Sequence, residues 1–411
     1  MISGLAYRVA FEGRFRSVTP WWGGGPYGTV KDEEGRVWYP SAETVAGKTK
    51  WFARHLLWIC RDGKFDKLNH KELEGQIEEL FGYIPGAQEL FGYIPGAQPR
   101  PSALALSVDP APDVKPTPLE PAGGSQGAKP EDVPRVALGH LGNKWNYLKD
   151  DDVPVNGVAI TMRIRAPAGR LADALKVGDG ARRFAAAAMI TLAYAGVGRA
   201  ANRGFGRFYP DPKSLRADQD IVELANMITG GDAVGAIKRG AGIILGGECA
   251  DSVARNVKLV GCPPGVGTLD AMRAVGEAFV STCHDDHVDF YVLGLPRRNW
   301  RPVVEDKMRG KKMYDRRQSP LIASPIVRDG HVSAVALIEL YHVDFDSGEL
   351  RAGKRVRNEI VEKKKGNFDD ARKLVEQYIE NRGCRPRPDK CQRGRQRPSG
   401  GMQHHGGGRW L

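Results

Sequence analysis

Residues Ala185 to Phe208 read AAAAMITLAYAGVGRAANRGFGRF, an almost unbroken apolar run that gives way to four glycines and three arginines. The alanine-rich half predicts a helix, beginning near Leu171 and ending at Ala195. The glycines follow directly. Each costs backbone entropy on folding, so this many together serve turns or a close approach of backbone to something else. Arginine adds a planar fork that suits phosphate.

Three readings compete for the glycine-rich half. Gly196-Val-Gly198-Arg-Ala-Ala201 satisfies the dinucleotide fingerprint, but that motif needs a strand before it and a helix after it, and here a helix precedes. A tight loop that only reverses the chain is the second reading. The third uses the side chains: Arg199, Arg203 and Arg207 reach the phosphates of an RNA strand while Gly196, Gly198, Gly204 and Gly206 let backbone come close. Phe205 stacks on a base or joins the core.

Working outward, Leu5 to Val18 alternates as a strand that Gly13 interrupts. Ser41 is a candidate N-cap for a helix in which Val45, Phe52, Leu56 and Ile59 recur at helical spacing. Gly157 to Arg165 reads as a strand. Ile221 to Thr229, Val234 to Arg239, Leu269 to Val280 and Phe368 to Glu380 read as helices, and Val288 to Leu293 as a strand. Leu321 to Val327 and Val332 to Glu339 form a hairpin turning at Asp329-Gly330. Lys307 to Arg317 is a basic loop. The decapeptide ELFGYIPGAQ occurs twice between Glu79 and Gln98, too short a period for a repeat architecture. Pro99 to Pro134 is a Pro-rich insertion in which only the short Ala103 to Val108 looks strand-like, and the chain beyond Gly383 has a disordered composition. The mixture is α+β rather than a regular βα alternation.

The 411 residues are 41% apolar and 27% charged, within the globular range, with a net charge of +12. From Arg351 onward 17 Lys/Arg outweigh 7 Asp/Glu, so most of the excess lies at the C-terminus. A basic chain favours polyanions. No run is apolar and long enough to span a membrane, and the opening lacks a signal-peptide core. Six irregularly spaced cysteines fit a reducing cytoplasm rather than a disulfide scaffold.

Other motifs carry chemistry more weakly. Lys48, Lys50 and Arg54 interleave with Trp51, Phe52 and Trp58 on one helix, a pattern suited to nucleic acid or to an ordinary solvated basic face. Lys311, Lys312, Arg316 and Arg317 crowd the basic loop. Cys283, His284 and His287 offer metal ligands without the further cysteines or histidines a zinc site needs. GCPPGVGT at Gly261 to Thr268 lacks a phosphate-loop lysine and reads as a turn. His55 is a candidate general base for RNA cleavage.

Taken together, Arg14 to Gly24 (RFRSVTPWWGG), Thr44 to Arg54 (TVAGKTKWFAR), Leu80-Phe81-Gly82 or its copy at Leu90, GVGRAANRGFG and Arg317 to Pro325 (RQSPLIASP) resemble the Cmr-one family of the RAMP superfamily of CRISPR systems. Lys50 stands where that family usually has arginine, and Asn202 replaces a basic residue of its glycine-rich loop. The resemblance implies two tandem ferredoxin-like, RRM-like RAMP domains, residues 1–215 with the insertion at 99–135 and residues 216–383, followed by a basic tail at 384–411. It implies a non-catalytic, cytoplasmic subunit of a type III-B effector, without cofactor or metal. Such a subunit contacts guide RNA near its 3′ end, helps to capture target RNA, and has other RAMP subunits as partners. A RAMP endoribonuclease that processes guide precursors, with His55 or His284 as the acid or base, is the alternative.

Overall fold

A computed structural model of the chain describes residues 7–23, 39–60, 104–111, 114–118, 154–168, 177–199, 201–245, 247–284, 301–306, 310–313, 319–340, 351–356, 359–365 and 368–383. The duplicated decapeptide, the tail from 384 and the expected strand at Val288 to Leu293 lie outside them.

The first half runs β1 (Tyr7–Ser17), α1 (Ala42–Cys60), β2 (Ala105–Pro110), the two-residue pair β3 (Thr117–Pro118) and β4 (Val155–Asn156), β5 (Ala159–Pro167), α2 (Val177–Ile190) and β6 (Phe208–Pro210). Its main sheet is antiparallel in the order β2-β5-β1-β6. Phe11 and Phe15 of β1 stand opposite Ile164 and Ile160 of β5, all buried. α1 and α2 cover that inward face. Alternation sends Glu12, Arg14 and Arg16, with Thr161, Arg163 and Arg165, to the other face.

Gly13 does not interrupt β1. A Cβ there would lie 2.5 Å from Leu215 Cδ2, so the glycine leaves room for the residues that follow β6 and run beside β1. Ser41 caps α1 as expected, its Oγ accepting from Thr44 N at 3.2 Å. The predicted helix through Ala195 changes character at Thr191, where Thr191–Ala195 forms a π-helical turn that delivers the chain into the glycines.

The second half runs α3 (Gln219–Thr229), α4 (Ala233–Leu245), α5 (Gly247–Arg255), β7 (Val257–Gly261), α6 (Thr268–His284), β8 (Arg301–Asp306), β9 (Gly310–Met313), β10 (Leu321–Arg328), β11 (His331–Glu339), β12 (Arg351–Val356), β13 (Glu359–Lys365) and α7 (Phe368–Tyr378). One antiparallel sheet has the order β10-β11-β7 and another β13-β12-β8-β9. Asp218 caps α3 through Ile221 N at 3.1 Å. The β10–β11 hairpin turns at Asp329 (φ 50°) and Gly330 (φ 80°), the left-handed pair that a two-residue hairpin requires.

The strand-like stretch within the Pro-rich span is a strand: residues 105–110 form the edge of the first sheet, where Val108 packs inward opposite Met162. The expectation of a basic loop needs correction, because residues 310–313 form a strand that pairs with β8. One hydrophobic core joins both halves, containing Phe15, Phe52, Ile190, Ile237, Phe279, Leu321 and Val375. Gly240 lets α4 lie directly on α2, since a Cβ there would meet Ile190 at 2.6 Å.

Candidate nucleic-acid interface

The glycine-rich loop is clamped to the segment that follows β1. Gly206 N donates to Pro20 O at 2.9 Å, Arg199 N to Trp22 O at 2.5 Å and Val197 N to Gly206 O at 3.0 Å. Gly196, Gly198, Gly204 and Gly206 all have positive φ, between 64° and 97°. A Cβ would lie 1.8 Å from Arg207 Nη1 at Gly196, 2.6 Å from Trp22 O at Gly198, 2.9 Å from Pro325 Cδ at Gly204 and 1.9 Å from Val197 O at Gly206. The close approach that the glycines permit is therefore to this chain's own atoms, which corrects the expectation of bare backbone held open for a ligand.

The three loop arginines part company. Arg207 is completely buried. Its Nε donates to Ser324 Oγ at 2.8 Å, Nη1 to Phe205 O at 3.0 Å and Nη2 to Ala323 O at 3.3 Å. It binds the first half to β10 and presents nothing to a phosphate, contrary to expectation. Arg203 is almost buried, with its guanidinium 6.0 Å from the Phe279 ring of α6. Arg199 is exposed beside the Trp22 ring, 5.5 Å away. Phe205 is a core residue, tilted against Trp22 at 6.0 Å.

On α1, Lys48 turns inward so that Nζ lies 3.5 Å from the Trp51 ring centroid. The residue as a whole is half-buried. Burial pulls that ammonium down to about 7, and the charge of Arg207 adds to the effect. Burial likewise pulls Arg207 down to about 9 and pushes Tyr209 up to about 12. Tyr209 Oη accepts from Val327 N at 3.2 Å, a second tie to β10. Lys50 is half-buried and Arg54 nearly buried. His55 is buried edge-on against Trp51, with ring centroids 4.7 Å apart.

Lys311 and Lys312 lie on β9 opposite Glu305 and Val304 of β8. Arg316, Arg317 and His287, and the side chains of Cys283 and His284, lie outside what is described. Among the described residues no three His, Cys, Asp or Glu gather as metal ligands, and no helix is long and apolar enough to cross a membrane. Cys262, within the GCPPGVGT turn, is disulfide-bonded, unlike the cysteines a reducing compartment would lead one to expect.

Sequence reading missed the outward face of the first sheet. Arg16 and Arg165 are exposed there, and Arg163 ties the face together through Glu12 at 3.1 Å and Asp109 at 2.7 Å. The alternation RFR in β1 and RIR in β5 was the available signal.

A chain of the cryo-EM structure of the Type III-B Cmr-beta complex bound to cognate target RNA and AMPPnP, in the presence of ssDNA, matches with a TM-score of 0.51 at 12% identity over 90% of this chain and 99% of that one. Cmr1 from Pyrococcus furiosus in its apo form matches at 0.47, with 16% identity over 89% and 96%. A chain of Cmr-beta bound to cognate target RNA matches at 0.45, with 12% identity over 90% and 98%. The structural neighbours are thus chains of Cmr structures. No protein-family model matches the sequence, and no curated protein does.

Proposed function

We propose that this chain is a non-catalytic, RNA-binding RAMP subunit of the Cmr-one family, working in the cytoplasm within a type III-B CRISPR effector for antiviral defence. It contacts guide RNA near the 3′ end and helps to capture target RNA beside other RAMP subunits. The observation that carries this reading is the end-to-end likeness, over 90% of this chain and 99% of the other, to a chain from a Cmr-beta structure containing cognate target RNA. The order β1-α1-β2-β5-α2-β6, with both helices on one face of an antiparallel sheet, supports a ferredoxin-like first domain within residues 1–215. Residues 216–383 form the second domain. Sequence specificity rests with base pairing to the guide, and the protein supplies backbone contacts.

Of the two histidines that the endoribonuclease alternative offers as acid or base, His55 is buried against Trp51 rather than exposed at a groove, and the side chain of His284 lies outside what is described. Reconstitution tests the proposal. Mixed with type III-B effector subunits and a guide RNA, the chain co-elutes with them and raises affinity for complementary over unrelated target RNA. Failure to join the assembly, or a discrete cleavage product from repeat RNA with this chain alone, overturns it.

A further inference from the structure

The outward face of the first sheet combines three features. The bulge that shifts register between Val9 and Phe11 places Val9 directly opposite Arg165, with Tyr7 beyond it at the end of the strand. Tyr7 and Val9 are 51% and 47% exposed, and among the described residues only Leu259 joins them as an exposed large hydrophobic. At the other end of β1, Arg16 is exposed and lies opposite Ala159 on one side and Tyr209 on the other. Between these ends lie Arg14, half-buried, and Thr161.

Charge on this face is unevenly spent. Arg163 engages both carboxylates of the neighbouring strands, Glu12 and Asp109. Arg16 and Arg165 are left projecting with no carboxylate opposite them in the register. The face therefore carries unneutralised guanidinium groups at two places and an exposed phenol ring near one of them, along a path of roughly 30 Å set by strand rise. Exposed apolar rings on a sheet, rimmed by arginine, have the chemistry that receives unstacked bases on ring faces and phosphates on guanidinium groups. A duplex keeps its bases stacked inside and offers Tyr7 nothing to stack on.

We infer that this outward face is a platform for single-stranded RNA, with Tyr7 as the base-stacking residue and Arg16 and Arg165 as phosphate contacts. The inference rests on the proposed RNA-binding function but assigns it a surface away from the glycine-rich loop. Charge complementarity selects the occupant: a polyanion fits the two unspent arginines, and a single strand fits the exposed ring.

The test uses the full chain and a fluorescein-labelled oligouridylate of about ten nucleotides, within the site sizes of single-strand binders, with fluorescence anisotropy across a salt series. Tyr7→Ala weakens binding roughly fivefold or more, as loss of one stacked base does, while Tyr7→Phe binds as the parent. Arg16→Glu with Arg165→Glu weakens binding at least about tenfold and lowers the magnitude of the salt slope by roughly 1.4, two single-strand phosphate contacts' worth. In the unaltered chain, ultraviolet crosslinking to the same RNA labels peptides containing residues 7–16 and 159–167, a readout independent of how the variants fold. A labelled duplex of the same length competes poorly. If the parent binds while these variants bind equally well and the crosslinks fall elsewhere, the platform is wrong and the RNA-binding function stands. If the parent binds no RNA even at low salt, both fall. Crosslinks confined to the glycine-rich loop also overturn the platform.

Discussion

Arg207 and Ser324 stand 117 residues apart in sequence and 2.8 Å apart in space, with Nε donating to Oγ inside a site that excludes water. No carboxylate joins the hydrogen bonds of this guanidinium, which is satisfied by one hydroxyl and two backbone carbonyls. Arg207→Met leaves three acceptors buried without donors and is expected to destabilise by about 3 kcal/mol or more, while Ser324→Ala costs about 1–2 kcal/mol. The two share one interaction, so the double variant falls short of the sum by about 1 kcal/mol or more in urea unfolding. Arg207→Lys does not rescue, because an ammonium cannot match the planar fork. Full additivity would remove the link between the halves.

Gly206→Ala and Gly265→Ala separate crowding from backbone conformation. Both positions have positive φ, but a Cβ at Gly206 would meet Val197 O at 1.9 Å, whereas nothing lies within 4 Å at Gly265. The Gly265 variant is expected to lose about 1–2 kcal/mol, the cost of placing a side chain in left-handed backbone. The Gly206 variant loses several kcal/mol more or fails to fold. Thermal melts in parallel give the comparison, and equal losses would mean that the loop is looser than described.

Lys48 gives stability a pH dependence whose sign is fixed. Its ammonium holds its proton only up to about 7 in the folded chain, against 10.5 when unfolded. Between these values the unfolded chain binds the extra proton, so stability rises with pH from about 7. Arg207, at about 9, adds in the same direction at higher pH. Glu43, Lys50, Arg54 and His55, the last edge-on to Trp51, are the other titratable groups that α1 carries around this position. Urea midpoints measured from neutral pH to about 9 should climb for the parent and climb less for Lys48→Met, which is also the more stable at neutral pH. An unchanged slope would mean that the ammonium is solvated.

Arg199→Ala isolates the one exposed arginine of the loop. Its melting temperature should fall by at most a few degrees, because substituting an exposed side chain away from the core costs on the order of 1 kcal/mol or less. If this arginine reaches an RNA phosphate, affinity falls with little sequence dependence and the magnitude of the salt slope drops by about 0.7 for a single strand. Unaltered affinity and slope would leave Arg199 out of the interface.

The sequence made the periodic elements legible and the site only in part. β1, α1, α2, α3, α6 and the Asp329-Gly330 hairpin are visible because apolar spacing, a serine cap and turn chemistry are local. Strands β7, β8, β12 and β13 were not recognised. β2 was half-hidden in a Pro-rich span because an edge strand needs only one buried residue, Val108, to hold its place. The glycine-rich loop was found for the right reason, close approach, and given the wrong neighbour. Nothing local says that the partner of Gly196 is Arg207, or that Arg207 turns inward to Ser324 while Arg199 turns out. Long-range pairing decides which member of a basic cluster meets solvent.

A core that passes without a break from Phe15 through Ile190 to Val375 also governs how the molecule comes apart. Calorimetry should record one endotherm for the two halves, and a gene fragment ending between them would yield insoluble material, since α2 would lose the helix that covers Ile190. Whatever grips one half thereby tightens the other.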